Sequence, residues 1–260
     1  MLVFSYLLIA VAALLTAGLT FFSGFGLGTL FLPVFALFFA LEVAVALTAI
    51  VHLANNLFKL FLVGRHAHRR VVLSFGLPAI LGAYAGALVL HRLKEASPLF
   101  TYQLLGRTLA VTPQKLVIAV LIIVFALVEL SPITFPLAAT PRLLPLGGLL
   151  SGFFGGLSGH QGALRSAFLL KCGLSKEAFL GTGVTIACLV DLSRLSGYCH
   201  HFLLTDLREH AGILGTAVAA AFLGTLLGNR LLPKVPWRNL KRLITVMLVL
   251  LALGLAGGLI

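Results

Sequence analysis

The chain has 260 residues, of which 60% are hydrophobic and 10% charged, and it carries a formal net charge of +12. A soluble globular domain has about 25% charged residues, so this composition excludes an ordinary soluble fold. The positive charge does not indicate nucleic acid, because the Lys and Arg fall mostly in short segments between apolar runs, where membrane proteins place them to set orientation.

Apolar runs lie near 1–22, 27–40, 43–63, 71–91, 114–130, 143–157, 159–171, 177–198, 208–231 and 243–260. Runs of about 18 residues or more are long enough to cross a hydrocarbon core roughly 30 Å thick. Run 1–22 lacks a basic start and is followed at once by another apolar stretch, so it reads as a mature helix, not a signal peptide. Runs 27–40, 143–157 and 159–171 are short for full spans and read as half-helices, re-entrant segments or thinned crossings. Cys172, Cys188 and Cys199 have no metal-ligand or redox spacing and read as small membrane residues. No cofactor and no metal is implied.

The chain repeats itself. Ser23-Gly24-Phe25-Gly26-Leu27-Gly28 returns as Ser151-Gly152-Phe153-Phe154-Gly155-Gly156, and Ala44-Val45-Ala46-Leu47-Thr48 matches Ala178-Phe179-Leu180-Gly181-Thr182. In each half a deep polar cluster, a Gly-rich helix, a basic loop and a final apolar helix follow. The expectation is an all-α polytopic protein in a single membrane domain. Repeat 1 covers about 1–130, a Pro-rich connector 131–142, and repeat 2 about 143–260. Each repeat holds four or five segments, eight to ten in total, and paired short Gly-broken segments point to a secondary transporter. The positive-inside rule scores odd-crossing and four-crossing halves equally, at eleven Lys/Arg against five. The dense loop Arg65-His66-Ala67-His68-Arg69-Arg70 favours odd-crossing, inverted halves with that loop in the cytosol.

Several polar residues lie inside apolar runs. Asn55, Asn56 and Lys59 fall in 43–63, Asp191, Ser193 and Arg194 in 177–198, and His160, Gln161 and Arg165 beside the second Gly-rich break. An Arg, Lys or Asp at a membrane-helix centre costs roughly 2.5–3.5 kcal/mol on insertion scales, so such residues are candidates for function. Three cations facing one carboxylate suit an anion, and helix N-termini after the glycines Gly24, Gly26, Gly28, Gly155, Gly156 and Gly159 add N–H donors and a favourable dipole. Structural readings compete with these. Lys59 can snorkel to the interface; Arg194 can simply pair with Asp191 three positions away; Arg165 can sit at a re-entrant tip in water; the Asn residues can bond between helices. His52 reads as a packed helix histidine, Glu42 and Glu129 as interfacial ends, and His200 and His201 as loop residues.

The Gly24–Pro33 stretch, the small-residue opening at 44–48 and the run Gly155-Gly156-Leu157-Ser158-Gly159-His160-Gln161-Gly162-Ala163-Leu164-Arg165-Ser166-Ala167-Phe168 resemble the TauE/SafE family of sulfite-exporter-like permeases. The resemblance runs through nearly the whole chain. It implies movement of sulfite, sulfoacetate or another small organosulfur or organic anion. On this reading Arg165 and Arg194 pair with the anion, and Asn55, Asn56, His160 and Gln161 supply hydrogen bonds, with Lys59 beside them. Asp191 holds Arg194 or takes part in proton coupling. The expected partners are a small anion, the lipid bilayer, and protons or a coupling cation, with no nucleic acid. A homodimer is compatible with these features, and the expected location is the cell membrane, crossed many times. A passive anion channel is the nearest alternative. A more distant one is an intramembrane serine protease, suggested by Gly156-Leu157-Ser158-Gly159, by His52 four residues before Asn56, and by His200 or His210 as a base.

Overall fold

A computed structural model of the chain describes residues 2–20, 27–104, 106–130, 141–199, 210–231 and 237–259. Each apolar run becomes a helix. These are α1 (Leu2–Leu19), α2 (Leu27–Ala36), α3 (Leu41–Val63), α4 (Arg69–Glu95, with a π turn over Val72–Gly76) and α5 (Pro113–Leu130). The second half holds α6 (Leu144–Ser158), α7 (Gly162–Leu170), α8 (Lys176–Cys199), α9 (Ala211–Leu231) and α10 (Trp237–Ala256). Four described stretches, Leu41–His66, Arg69–Glu95, Lys176–Tyr198 and Ala211–Gly228, are long and apolar enough to cross a membrane. At 1.5 Å per residue the 23 residues of α3 span about 35 Å. Exposed apolar side chains such as Phe61 (87%) stud the outer faces, as expected of helices whose solvent is lipid.

One element departs from the all-helical expectation. Between α4 and α5 the chain forms an antiparallel hairpin, β1 (Phe100–Leu104) and β2 (Arg107–Val111), with Gly106 at φ +75° in its turn. Phe, Thr, Tyr and Val suit an extended pleat. The hairpin is tied to the end of α10, because the Tyr102 hydroxyl donates to the Gly257 carbonyl.

Glycine sets how closely the helices approach. In α6, Gly148, Gly152 and Gly156 follow the small-xxx-small spacing that lets membrane helices touch backbone to backbone. A Cβ on Gly152 would lie 2.0 Å from the Ala79 carbonyl oxygen of α4, and one on Gly156 2.0 Å from that of Ala83. The same contact recurs between α9 and α1, where a Cβ on Gly224 would meet the Leu14 carbonyl oxygen at 2.1 Å.

Several helix contacts recur when each helix is exchanged with the one five places along the chain. The pair α4–α6 has its counterpart in α9–α1, α4–α8 in α9–α3, and α6–α7 in α1–α2. The pairs α3–α8 and α5–α10 map onto themselves. Both self-paired sets run antiparallel. His52 of α3 meets Asp191 of α8, while further along α3 the Val63 carbonyl approaches Gly181, nearer the start of α8. At the other pair, the strand leading into α5 lies against the end of α10, with Gly258 beside Ala110.

The loop after α3 sits on the first turns of α8, with the His68 N–H donating to Thr182 Oγ1 at 2.8 Å, so segments 64–68 and 171–175 share one end of the molecule. Helix α6 starts at that same end, parallel to α4, with Gly148 beside Phe75 and Gly156 beside Ala83. Helix α7 turns back from the interior and delivers the chain to α8. Together α6 and α7 form a helical hairpin whose tip, Gly159–Gln161, lies inside the protein.

Candidate functional site

The tip is built by a left-handed residue. Gly159, at φ +82°, ends α6, and its N–H caps the Gly155 carbonyl at 2.9 Å. Glycine adopts that conformation without the clash a Cβ brings. The next two residues, His160 and Gln161, open α7. The Gln161 carbonyl is fixed by the Ser151 hydroxyl at 2.8 Å. Its side chain is thereby aimed at the middle of α8.

Asp191 is the hub. Its Oδ1 accepts from Gln161 Nε2 at 2.9 Å and from Arg194 Nε at 3.0 Å. Arg194 Nη2 is 2.8 Å from the same oxygen, off the line of its N–H bonds. Asp191 Oδ2 accepts from His52 Nδ1 at 2.6 Å and Asn56 Nδ2 at 3.3 Å. The Asn56 amide also lies 3.0 Å from His52 Nδ1. Arg165 Nη1 donates to Gln161 Oε1 at 2.8 Å. A continuous chain therefore runs from Arg165 through Gln161 to Asp191 and Arg194, with His52 and Asn56 on its other side. Asp191 and Arg194 are both fully buried (0% exposed). One carboxylate filling its lone pairs with several donors is the arrangement under which buried ions are tolerated.

The backbone of the break takes part as well. Arg194 Nη1 donates to the Gly155 carbonyl at 3.3 Å, and the Tyr198 hydroxyl donates to that of Gly156. Both groups thus serve the C-terminal end of α6, where cations and donors are favoured. Gly28 of α2 comes to the same place: a Cβ there would be 3.3 Å from the Gly159 carbonyl and 3.7 Å from the His52 ring. Gly24 and Gly26, the rest of the first break, lie outside the described residues.

The sequence-derived candidates separate into two groups. Asn56, Gln161, Arg165, Asp191 and Arg194 come together. Lys59 is 5% exposed and within electrostatic range of Arg165, so it does not snorkel. Arg165 is 2% exposed, so its head is not in water at a re-entrant tip. Asn55 faces elsewhere, accepting from Thr225 Oγ1 of α9 at 2.7 Å. His160 also turns away from Asp191. Its ring stacks on Phe125 with centroids 5.5 Å apart, and Nδ1 lies 3.0 Å from both the Ser158 carbonyl and hydroxyl. Its Nε2 is buried with no hydrogen-bond partner among the described residues.

His52, read from sequence as a packed histidine, instead bonds the hub carboxylate. The signal was its place four residues before Asn56, hence on the same helix face. Glu42, read as an interfacial end, pairs with Lys94 at 3.0 Å. Ser158 donates to the Phe154 carbonyl at 3.1 Å, and His210 packs against Phe39. His200 and His201 lie outside the described residues, and the side chain of Glu129 is not described. Among the described residues no group of His, Cys, Asp and Glu could hold a metal ion.

The sequence model of the sulfite exporter TauE/SafE family matches residues 8–255. The chain belongs to the sulfite exporter TauE/SafE family. No curated protein and no solved structure matches it. TauE/SafE membership, together with the apolar helices, makes the chain an integral, multi-pass membrane permease of the anion-exporter type. Members are transporters, not enzymes.

Proposed function

We propose that this TauE/SafE protein is a secondary transporter of the cell membrane that carries sulfite or a related small organosulfur or organic anion through the tip of the α6–α7 pair. The observation that carries this reading is the buried chain Arg165–Gln161–Asp191–Arg194 at a broken helix. Guanidinium groups offer planar, paired donors that match an oxyanion. Gln161 and Asp191 together link the two cations, so an arriving anion can draw on Arg165 while Asp191 keeps Arg194 in place. The exchange symmetry and the antiparallel α3–α8 and α5–α10 pairs support two inverted halves, 1–130 and 143–260, each crossing an odd number of times. Such halves alternate access by rocking around a central site.

Flux in proteoliposomes with sulfite, sulfate, sulfoacetate and small carboxylates tests the reading. Saturable uptake of at least one, with accelerated exchange when the same anion is loaded inside, is the expected result. Uptake without that counterflow indicates a passive anion channel. The protease reading requires Ser158; a Ser158→Ala variant that transports normally, in a protein that cleaves no membrane substrate, removes it.

A further inference from the structure

Resting on the anion-transport reading above, we propose that His52 and Asp191 form a proton-binding site that loads together with the anion, so that transport is proton-coupled symport. The two side chains come from equivalent helices of the two halves, α3 and α8, and meet through a 2.6 Å contact. The cross-half contact makes the pair a natural reporter of how the halves are arranged. The His52 ring also lies where both breaks converge, next to Gly28, which itself abuts the Gly159 carbonyl. One edge of the imidazole is committed to the carboxylate, and the ring borders the point that a substrate between the breaks must pass.

The surrounding charges give the sign of the coupling. From α8, His52 faces Asp191 and Arg194; from α7, Arg165 with Gln161; along its own helix, Asn56 and then Lys59. Helix α2 presents backbone at Gly28, and α9 meets α3 through Thr225 on Asn55 and Phe222 on Phe58. Neither brings a described charged side chain to the ring. With the imidazole neutral, its Nδ1–H donates to Asp191. The Asn56 amide lies 3.3 Å from Nε2; when it turns aside and Nε2 takes a proton from water, an imidazolium forms beside the same carboxylate and the charge of the cluster rises by one. That added charge strengthens anion binding, and a bound anion stabilises the imidazolium in return, because linkage is reciprocal. When the site faces the opposite side, departure of the anion weakens the hold on the proton, and Nε2 returns it to water. Intramembrane carboxylate–histidine pairs are suited to proton relay on general grounds.

The test uses purified full-length protein in proteoliposomes with an entrapped pH dye and with sulfate and sulfoacetate as probes at neutral pH. Both are fully ionised there, so any proton that moves is carried by the protein; sulfite is run in parallel. Inward anion gradients should acidify the lumen, and an acid-outside gradient should drive accumulation. Apparent affinity should weaken about tenfold per pH unit on the alkaline side, the slope for one proton bound with each anion. His52→Gln should lower gradient-driven accumulation at least tenfold more than it lowers anion counterflow. Anion flux with no proton movement, or with protons moving the opposite way, overturns the proposal and leaves anion transport standing. An unchanged accumulation-to-counterflow ratio in His52→Gln removes His52 from the coupling. If none of the anions moves, the transport reading and this proposal fall together. Should His52→Gln fail to assemble, the wild-type proton measurement and affinity profile decide the matter alone.

Discussion

Asp191 and Arg194 lie three residues apart on one helix face, and burial leaves neither any water to fall back on. Removing one member of such a pair strands a charge and costs roughly 3–5 kcal/mol, whereas removing both can be nearly neutral. Asp191 here also holds Gln161, His52 and Asn56, so Asp191→Asn keeps part of the network but frees Arg194 and Gln161 to shift. The expected outcome is that Asp191→Asn folds with lowered thermal stability and altered substrate affinity. Arg194→Ala loses transport, and the double variant recovers stability without recovering flux. Thermal unfolding in detergent together with flux checks this; a double variant that transports normally makes the pair scaffolding. The cost of an intramembrane ion made Lys59, Arg165, Asp191 and Arg194 stand out in the sequence. His52 did not, because one histidine in a helix carries no such signal until its partner 139 residues away is in view. Adjacent residues such as Asn55 and Asn56 look alike in sequence yet face different helices.

At the scale of elements, all ten apolar runs became helices, because hydrophobic length is the main constraint a bilayer imposes. The hairpin 100–111 was not legible: its two five-residue strands are too short to stand out inside a segment that reads as a polar loop. The contact of α4 with α6 depends on missing side chains, which yields a direct comparison. Gly152→Val places methyl groups where a Cβ alone is already 2.0 Å from the Ala79 oxygen, so the helices must separate. We expect a loss of several kcal/mol, of the order of severe overpacking, seen as poor assembly or a melting temperature lowered by many degrees. Gly215→Ala meets nothing within 4 Å and should leave the melting temperature unchanged. Equal behaviour of the two variants would remove close approach as the reason for the glycines.

Across the whole molecule, two readings of the charge pattern stood level, since a count of Lys and Arg cannot say which loops share a side. Packing supplies that information: the loop after α3 lies on the start of α8, and the hairpin lies on the end of α10. In a cysteine-free background, Ala67→Cys and Lys171→Cys should therefore label from one side, the cytosol by the positive-inside rule, and Gln103→Cys from the other. Labelling of positions 67 and 171 from opposite sides contradicts inverted halves. The central claim is that the buried α6–α7 tip binds the anion, and Arg165 tests it most directly. Its Nη1 meets the hub through Gln161, which in turn bonds Asp191, and its loss should disturb substrate more than fold. The decisive measurement is saturable flux, in proteoliposomes, of the anion that the wild type carries. Arg165→Ala should abolish it while expression and melting temperature stay near wild type, and Arg165→Lys should also be poor, because an ammonium lacks the planar fork. Wild-type flux in Arg165→Ala would contradict the account.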